Sequence, residues 1–316
     1  MYKAIHRPVL AAETLRLLAP DVRSDALFVD ATTGEGGHTE LFLSSCPRLT
    51  AIALDADARI QEKAKERLAC FLPRVTFIRA WFDEFFANYP FERRPDIILF
   101  DLGISIFHYE RSGGGFSFSK DEPLDMRLDS SNGKSAADLI GDLDERELAD
   151  LIFRYGEERY SRSIAPALQK ALRNGRLKTA KAAADVIAEA VPPAYRRGHL
   201  HPATKSFQAL RMAVNDEPGR LVRALNGAFS VLNPGGVLGV ISFHSLEDRA
   251  VKQFMKTKVG ERHSVNKYRP SPQSVAAEGE LLTPKPVSAD AAEIKENPPS
   301  RSAKLRVIRK KKDEIE

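Results

Sequence analysis

Short apolar runs alternate with longer helix-forming stretches through the first hundred positions. The runs lie at residues 26–30, 50–55, 75–78 and 96–101, and residues 58–72, between the second and third, are rich in helix formers. Apolar runs of this length, separated by helical patterns, predict βαβ units around a parallel sheet. Beyond residue 102 the rhythm changes. The glycine- and phenylalanine-rich string Gly113-Gly-Gly-Phe-Ser-Phe118 is followed by four amphipathic helical patterns, at 136–140, 145–155, 163–172 and 179–190, with no strand candidate between them. A helical pattern over 221–232, the turn signal Asn233-Pro-Gly-Gly and an apolar run at 236–243 then restore the first rhythm. Residues 264–299, rich in Pro, Ser and Ala, predict a long loop before a last strand around 304–308. The expected architecture is an α/β core in two segments, 1–111 and 201–316, interrupted by an all-α insertion at 112–200.

Composition excludes more than it selects. A chain of 316 residues with 43% hydrophobic and 29% charged positions buries a real core and lies outside the regime of intrinsic disorder. Two cysteines, Cys46 and Cys70, offer neither a disulfide framework nor a zinc signature, so a reducing compartment and no metal site are expected. No run of 18 apolar residues occurs and the first residues lack a signal-peptide core, which points to the cytoplasm and away from membranes. A net charge of +5 permits a nucleic-acid partner without requiring one.

Three of the expected strands end in aspartate, at Asp30, Asp55 and Asp101. Ligands of open α/β sheets bind beyond the carboxyl ends of the strands, so the three carboxylates are expected at one crevice, although aspartate also ends strands simply as a turn former. The first strand runs into Asp30-Ala-Thr-Thr-Gly34-Glu-Gly36-Gly37-His38, whose glycines let backbone approach a ligand closely. Asp55 lies 21 residues beyond Gly34, near the ~20-residue offset of a ribose-binding acid. A third dinucleotide glycine would fall at position 39, which is Thr39. The loop therefore suits S-adenosylmethionine, a cation without phosphate, better than a dinucleotide. A turn with no ligand stays open on these residues alone.

Longer strings resemble one family. In order they are His6-Arg-Pro-Val-Leu10, the loop from Val29 to His38, Phe100-Asp-Leu-Gly-Ile-Ser105, Gly115-Phe-Ser-Phe118, Pro123-Leu-Asp-Met-Arg127, His201-Pro-Ala-Thr204, Phe207-Gln-Ala-Leu-Arg211, Ser242-Phe-His-Ser-Leu-Glu-Asp-Arg249 and Arg301-Ser-Ala-Lys-Leu-Arg306. Together they resemble the bacterial small-subunit ribosomal RNA methyltransferase H (MraW) family, which methylates N4 of a cytosine in 16S ribosomal RNA. The resemblance implies a class I, Rossmann-like methyltransferase core dependent on S-adenosylmethionine. It also implies a helical insertion for substrate recognition, a target in the decoding region of an assembled or nearly assembled small subunit, and a homodimer. Carried over by position, cofactor contacts fall on Gly36, Gly37, His38, Asp55, Phe82 and Asp101. His108 stands where the family has a Gln near the cofactor and is a further candidate cofactor contact, and Glu35 stands where the family often has a small residue or Arg.

The cytosine amine is a poor nucleophile, so an acceptor for its hydrogens is needed where positive charge develops. Asp101 and His244, at the ends of the fourth and fifth strands, are the catalytic candidates. Ser245 and Asp248 have the spacing of a capping box, a structural alternative for that segment. A flipped base is commonly held between apolar faces, for which Phe107, Tyr109, Phe116 and Phe118 are available. Asp125 and Arg127 would position base or phosphate, or form a loop salt bridge. Around His201, the residues Arg196, Arg197, Lys205 and Arg211 are candidate phosphate contacts. Two other classes remain in view: an N4-cytosine or protein methyltransferase with another substrate, and a non-catalytic RNA-binding relative.

Overall fold

The computed structural model describes residues 7–19, 25–110, 112–260 and 277–312. Seven strands form one sheet: β1 (Leu27–Asp30), β2 (Thr50–Asp55), β3 (Val75–Arg79), β4 (Ile97–Asp101), β5 (Val237–Ser242), β6 (Gly279–Leu281) and β7 (Lys304–Lys310). Their order is β3-β2-β1-β4-β5-β7-β6, with β1 to β5 parallel and β7 antiparallel to both neighbours. This is the expected Rossmann-like methyltransferase sheet. Every residue of β1 and β5 is buried, as both-face coverage by helices requires. Alternate side chains of β1 enter two separate cores: Leu27 and Val29 join Phe85, Phe86 and Phe229, whereas Phe28 packs with Phe42 and Leu305. At Gly239 in β5 an added Cβ would lie 2.8 Å from Leu18, so glycine lets the Ala11–Leu18 helix close on that face.

The reversal of strand order between β1 and β4 opens a crevice at their carboxyl ends, where Asp30 and Asp101 end adjacent strands and Asp55 ends the next one out.

Residues 1–103 and 218–316 form one compact unit and 104–217 the other. The expected boundaries at 111/112 and 200/201 therefore move to 103/104 and 217/218. The helix Thr204–Val214 belongs with the helical unit because it packs on Glu145–Gly156, so closely that a Cβ on Gly156 would lie 2.4 Å from the Lys205 carbonyl oxygen. This unit has its own core of Ile140, Leu148, Ile152, Ile164, Leu168 and Leu210 among others. Two of its helices start in capping boxes, Ser135 with Asp138 and Asp144 with Glu147.

A second correction concerns residues 264–299. Residues 264–276 lie outside the described part, but 277–299 are not a plain loop: they hold β6 and the helix Ala291–Glu296, capped by Asp290. A three-residue strand is too short to show an alternation, and it exists because β7 supplies an edge to pair with. Among the described residues no helix is long and apolar enough to cross a membrane.

Candidate active site

The loop after β1 turns through two left-handed glycines, Gly34 (φ +54°) and Gly36 (φ +83°). At Gly36, which caps the helix Gly37–Ser45, a Cβ would crowd Leu68 at 3.1 Å, so both backbone angle and space call for glycine. Two hydrogen bonds tie this loop to the neighbouring strand ends. Asp55 Oδ2 accepts from the Gly34 amide at 2.9 Å, and Thr32 Oγ1 accepts from the Asp101 amide at 2.6 Å. Asp30 is fully enclosed: its Oδ2 accepts from the Thr39 hydroxyl at 2.6 Å. Burial pushes the Asp30 carboxyl up to about 6, although the Thr39 hydrogen bond and nearby His38 favour the charged form.

His38, in the first turn of the Gly37–Ser45 helix, is buried, and its Nε2 lies 3.4 Å from Asp101 Oδ2. Among the described residues both His38 nitrogens, Asp101 Oδ1 and Glu35 Oε2 are buried without a hydrogen-bond partner. Four such atoms on one loop and the adjoining strand end are unusual, because buried polar groups are nearly always paired; a ligand or ordered water is the natural complement. The donor set fits S-adenosylmethionine: carboxylates for a cation, an acid at the ribose-binding offset and glycines that admit close approach. Phe82 opens the helix after β3, half-buried with its ring edge-on to Phe100 at 5.7 Å.

Several other candidates have partners that define different roles. His244 caps the helix Ser245–Lys258: its Nδ1 accepts from the Glu247 amide at 3.4 Å, and its Nε2 lies 2.9 Å from Glu247 Oε1. Glu247 in turn accepts from the Phe243 amide. The expected box of Ser245 and Asp248 is thus displaced by one residue, to His244 and Glu247, and His244 Nε2 is buried with no hydrogen-bond partner among the described residues. Asp248 instead grips Arg306 of β7 at 2.7 Å, with Lys304 at 3.5 Å; burial raises its pKa, but the two cations outweigh this and hold it below the usual range.

Within the helical unit, Phe116 is a core residue, 4% exposed, not an open stacking face. His108 is likewise buried, edge-on to Phe107 and Phe116. Arg211 is 9% exposed and held by Glu217 through two bonds of 2.8 and 2.9 Å, which removes it from the phosphate contacts. Asp125 and Arg127 form the loop salt bridge, at 2.8 Å, and the guanidinium hydrogen bonds hold Asp125 below the usual carboxylate range. His201 is exposed and stacks on Phe118 at 4.4 Å, while Lys205 donates to the Glu157 carbonyl at 3.1 Å. His6 lies outside the described residues.

The family model described as the MraW methylase family matches residues 3–311. The chain belongs to the MraW methylase family. As a member it is an enzyme, a methyltransferase that uses S-adenosylmethionine. A protein of Treponema denticola named ribosomal RNA small subunit methyltransferase H is 54% identical over 308 residues, 97% of each chain. One of the same name from Borrelia garinii is 40% identical over 307 residues, 96% of this chain and 98% of the relative. A solved rRNA methylase from Streptococcus thermophilus covers 98% of this chain, and all of its own, at a TM-score of 0.43 and 11% identity.

In this MraW family member two residues beside the candidate site had been given no role from the sequence. Thr32 sets the position of the β4 end through the Asp101 amide, and nothing in the local pattern marks it. Glu35 carries a buried, unpaired carboxylate oxygen, and its departure from the family's usual residue was the available signal.

Proposed function

We propose that the protein transfers the methyl group of S-adenosylmethionine to the exocyclic N4 amine of a cytosine in 16S ribosomal RNA. The unbroken family match over residues 3–311, with the acidic strand ends and glycine loop in place, carries this reading. In this assignment the cofactor is held by the Gly36-Gly37-His38 turn, Asp55 and Phe82. When bound, it supplies an electrophilic methyl on a cationic sulfur.

Asp101 then has two tasks. Its fixed amide orients the carboxylate, and Oδ1, which has no hydrogen-bond partner among the described residues, accepts a hydrogen bond from the amine as positive charge grows on N4. His38, 3.4 Å from the other oxygen, steadies that carboxylate and offers a place for the proton released after transfer. Neutralising the acceptor with Asp101→Asn should lower kcat by about 10²- to 10⁴-fold, the usual range for a positioned acid or base. A variant with undiminished kcat removes Asp101 from the chemistry.

The reading extends to an assembled or nearly assembled small subunit in the cytoplasm as substrate, and to a homodimer as the working form. Labelled methyl transfer to 30S subunits, free 16S RNA, DNA and protein in parallel tests it. Label in N4-methylcytidine from 30S particles is expected, with less or none from the other three. Absence of label from both ribosomal substrates overturns the reading, and sedimentation of the enzyme reads the dimer.

A further inference from the structure

The helical unit is polarised in charge along its sequence. Residues 121–158 hold twelve acidic and four basic side chains; residues 159–211 hold eleven basic and two acidic ones. The net charge of +5 hides this division. Its sharpest part is the hairpin joining the helices Ser161–Arg173 and Ala180–Ala190: between positions 170 and 181 stand Lys170, Arg173, Arg176, Lys178 and Lys181, all exposed, with no acid among them. The structural role open to Lys170 and Arg173 is to complement the carboxyl end of their helix. That leaves Lys178 and Lys181 unexplained, the second of them in the first turn of a helix, where a cation is unfavourable.

The neighbouring surface is shaped as well as charged. A groove of about 450 Å³ is walled by Arg176, Arg196, Asp185 and Glu189, with Ala182, Val186 and Ala188 between them. A second depression of about 240 Å³ shares Arg176, Val186 and Glu189 and is bordered by Lys170. The five hairpin cations outnumber the two carboxylates of the groove, Asp185 and Glu189, and that excess suits a chain with regularly spaced anions. Two of the acidic side chains within reach are held loosely: Arg176 meets Glu189 and Arg173 meets Glu145 at 3.6 Å, all four side chains more than half exposed. Such exposed pairs are worth little and yield readily to phosphate.

We infer that this hairpin and its groove form a phosphate-tracking surface for an RNA strand of the substrate, built from residues other than those of methyl transfer. The inference rests on the ribosomal RNA reading above and adds where the helical unit grips. Nucleic acid is favoured over an acidic protein face because the cations are mostly on one hairpin, exposed and with no aromatic anchor lining the groove, which is the chemistry of backbone contact rather than of a packed interface. Contacts of this kind position the RNA and carry no base specificity.

The test compares the full-length enzyme with the variant Lys170→Ala/Arg173→Ala/Lys178→Ala/Lys181→Ala. Affinity for 30S particles and for a 16S RNA fragment is measured across a salt series, beside KM and kcat. Loss of four phosphate contacts should lower the slope of log K against log salt by about 3 and weaken binding at least tenfold at moderate salt. KM should rise with kcat unchanged at saturating RNA, and the charge-conserving variant Lys170→Arg/Lys178→Arg/Lys181→Arg, with Arg173 kept, should retain the wild-type slope. Circular dichroism confirms that the alanine variant is folded, and the Arg variant guards against a folding artefact. Wild-type slope and KM in the alanine variant overturn the inference. So does a loss confined to 30S particles with the RNA slope intact, which would assign the hairpin to a ribosomal protein. The proposed reaction is judged separately, by label transfer in the wild-type enzyme.

Discussion

Asp30 shows how a single side chain is governed by its surroundings. An aspartate titrates ordinarily near 3.8, but this one, buried beside Thr39, is pushed up to about 6. The folded state therefore holds the proton more tightly than the unfolded chain. The stabilisation from that proton is fully present below about pH 4 and is lost as the pH rises through about 6, about 3 kcal/mol in all. In Asp30→Asn this loss disappears. Its stability relative to wild type, from urea unfolding at several pH values, should rise by about 3 kcal/mol from about pH 4 to neutrality; a flat difference rejects the account. At this scale the sequence revealed much of the candidate site's geometry: Asp55, Asp101 and the glycines were legible as strand ends and turn because those signals are local. The pairing of Arg211 with Glu217 and the burial of Phe116 were not, since each depends on the fold of the helical unit around it.

Individual helices and strands were read well where their signals are periodic and long. The five parallel strands and the main helices all appear within a few residues of expectation. Failures occur where an element exists only through its neighbour, as β6 does through β7, or where two cap signals compete, as at His244 and Ser245. Packing between elements gives a sharp test at Gly156. In an open helix, Ala in place of Gly would add up to about 1 kcal/mol of stability. Here its Cβ would sit 2.4 Å from the Lys205 backbone oxygen, so the helices Glu145–Gly156 and Thr204–Val214 must part. Gly156→Ala should instead destabilise by about 1–3 kcal/mol in a urea melt. A stabilised variant would disprove the close approach.

For the whole molecule, the discontinuity of the core matters most. β5 lies in the middle of the sheet between β4 and β7, yet it is supplied from beyond the helical unit. A chain ending at residue 217 leaves β4 as an open edge and removes half of the core around Phe86 and Phe229. The sole tryptophan, Trp81, reports on this unit, under the Arg220 guanidinium at 4.1 Å. Residues 1–217 should therefore show solvent-exposed tryptophan emission and no cooperative transition by fluorescence; native-like emission would show that the first segment folds without the second. What the sequence alone determined was the alternation of strands and helices, the acidic crevice with its glycine loop, and the family, because each is written in local pattern and spacing. Only the tertiary structure decided where the helical unit begins and ends, which cations are buried in ion pairs and which form an open face, and which polar atoms at the crevice lack a partner. These depend on contacts between residues far apart in the chain, and on the burial that sets the cost of leaving a charge unpaired.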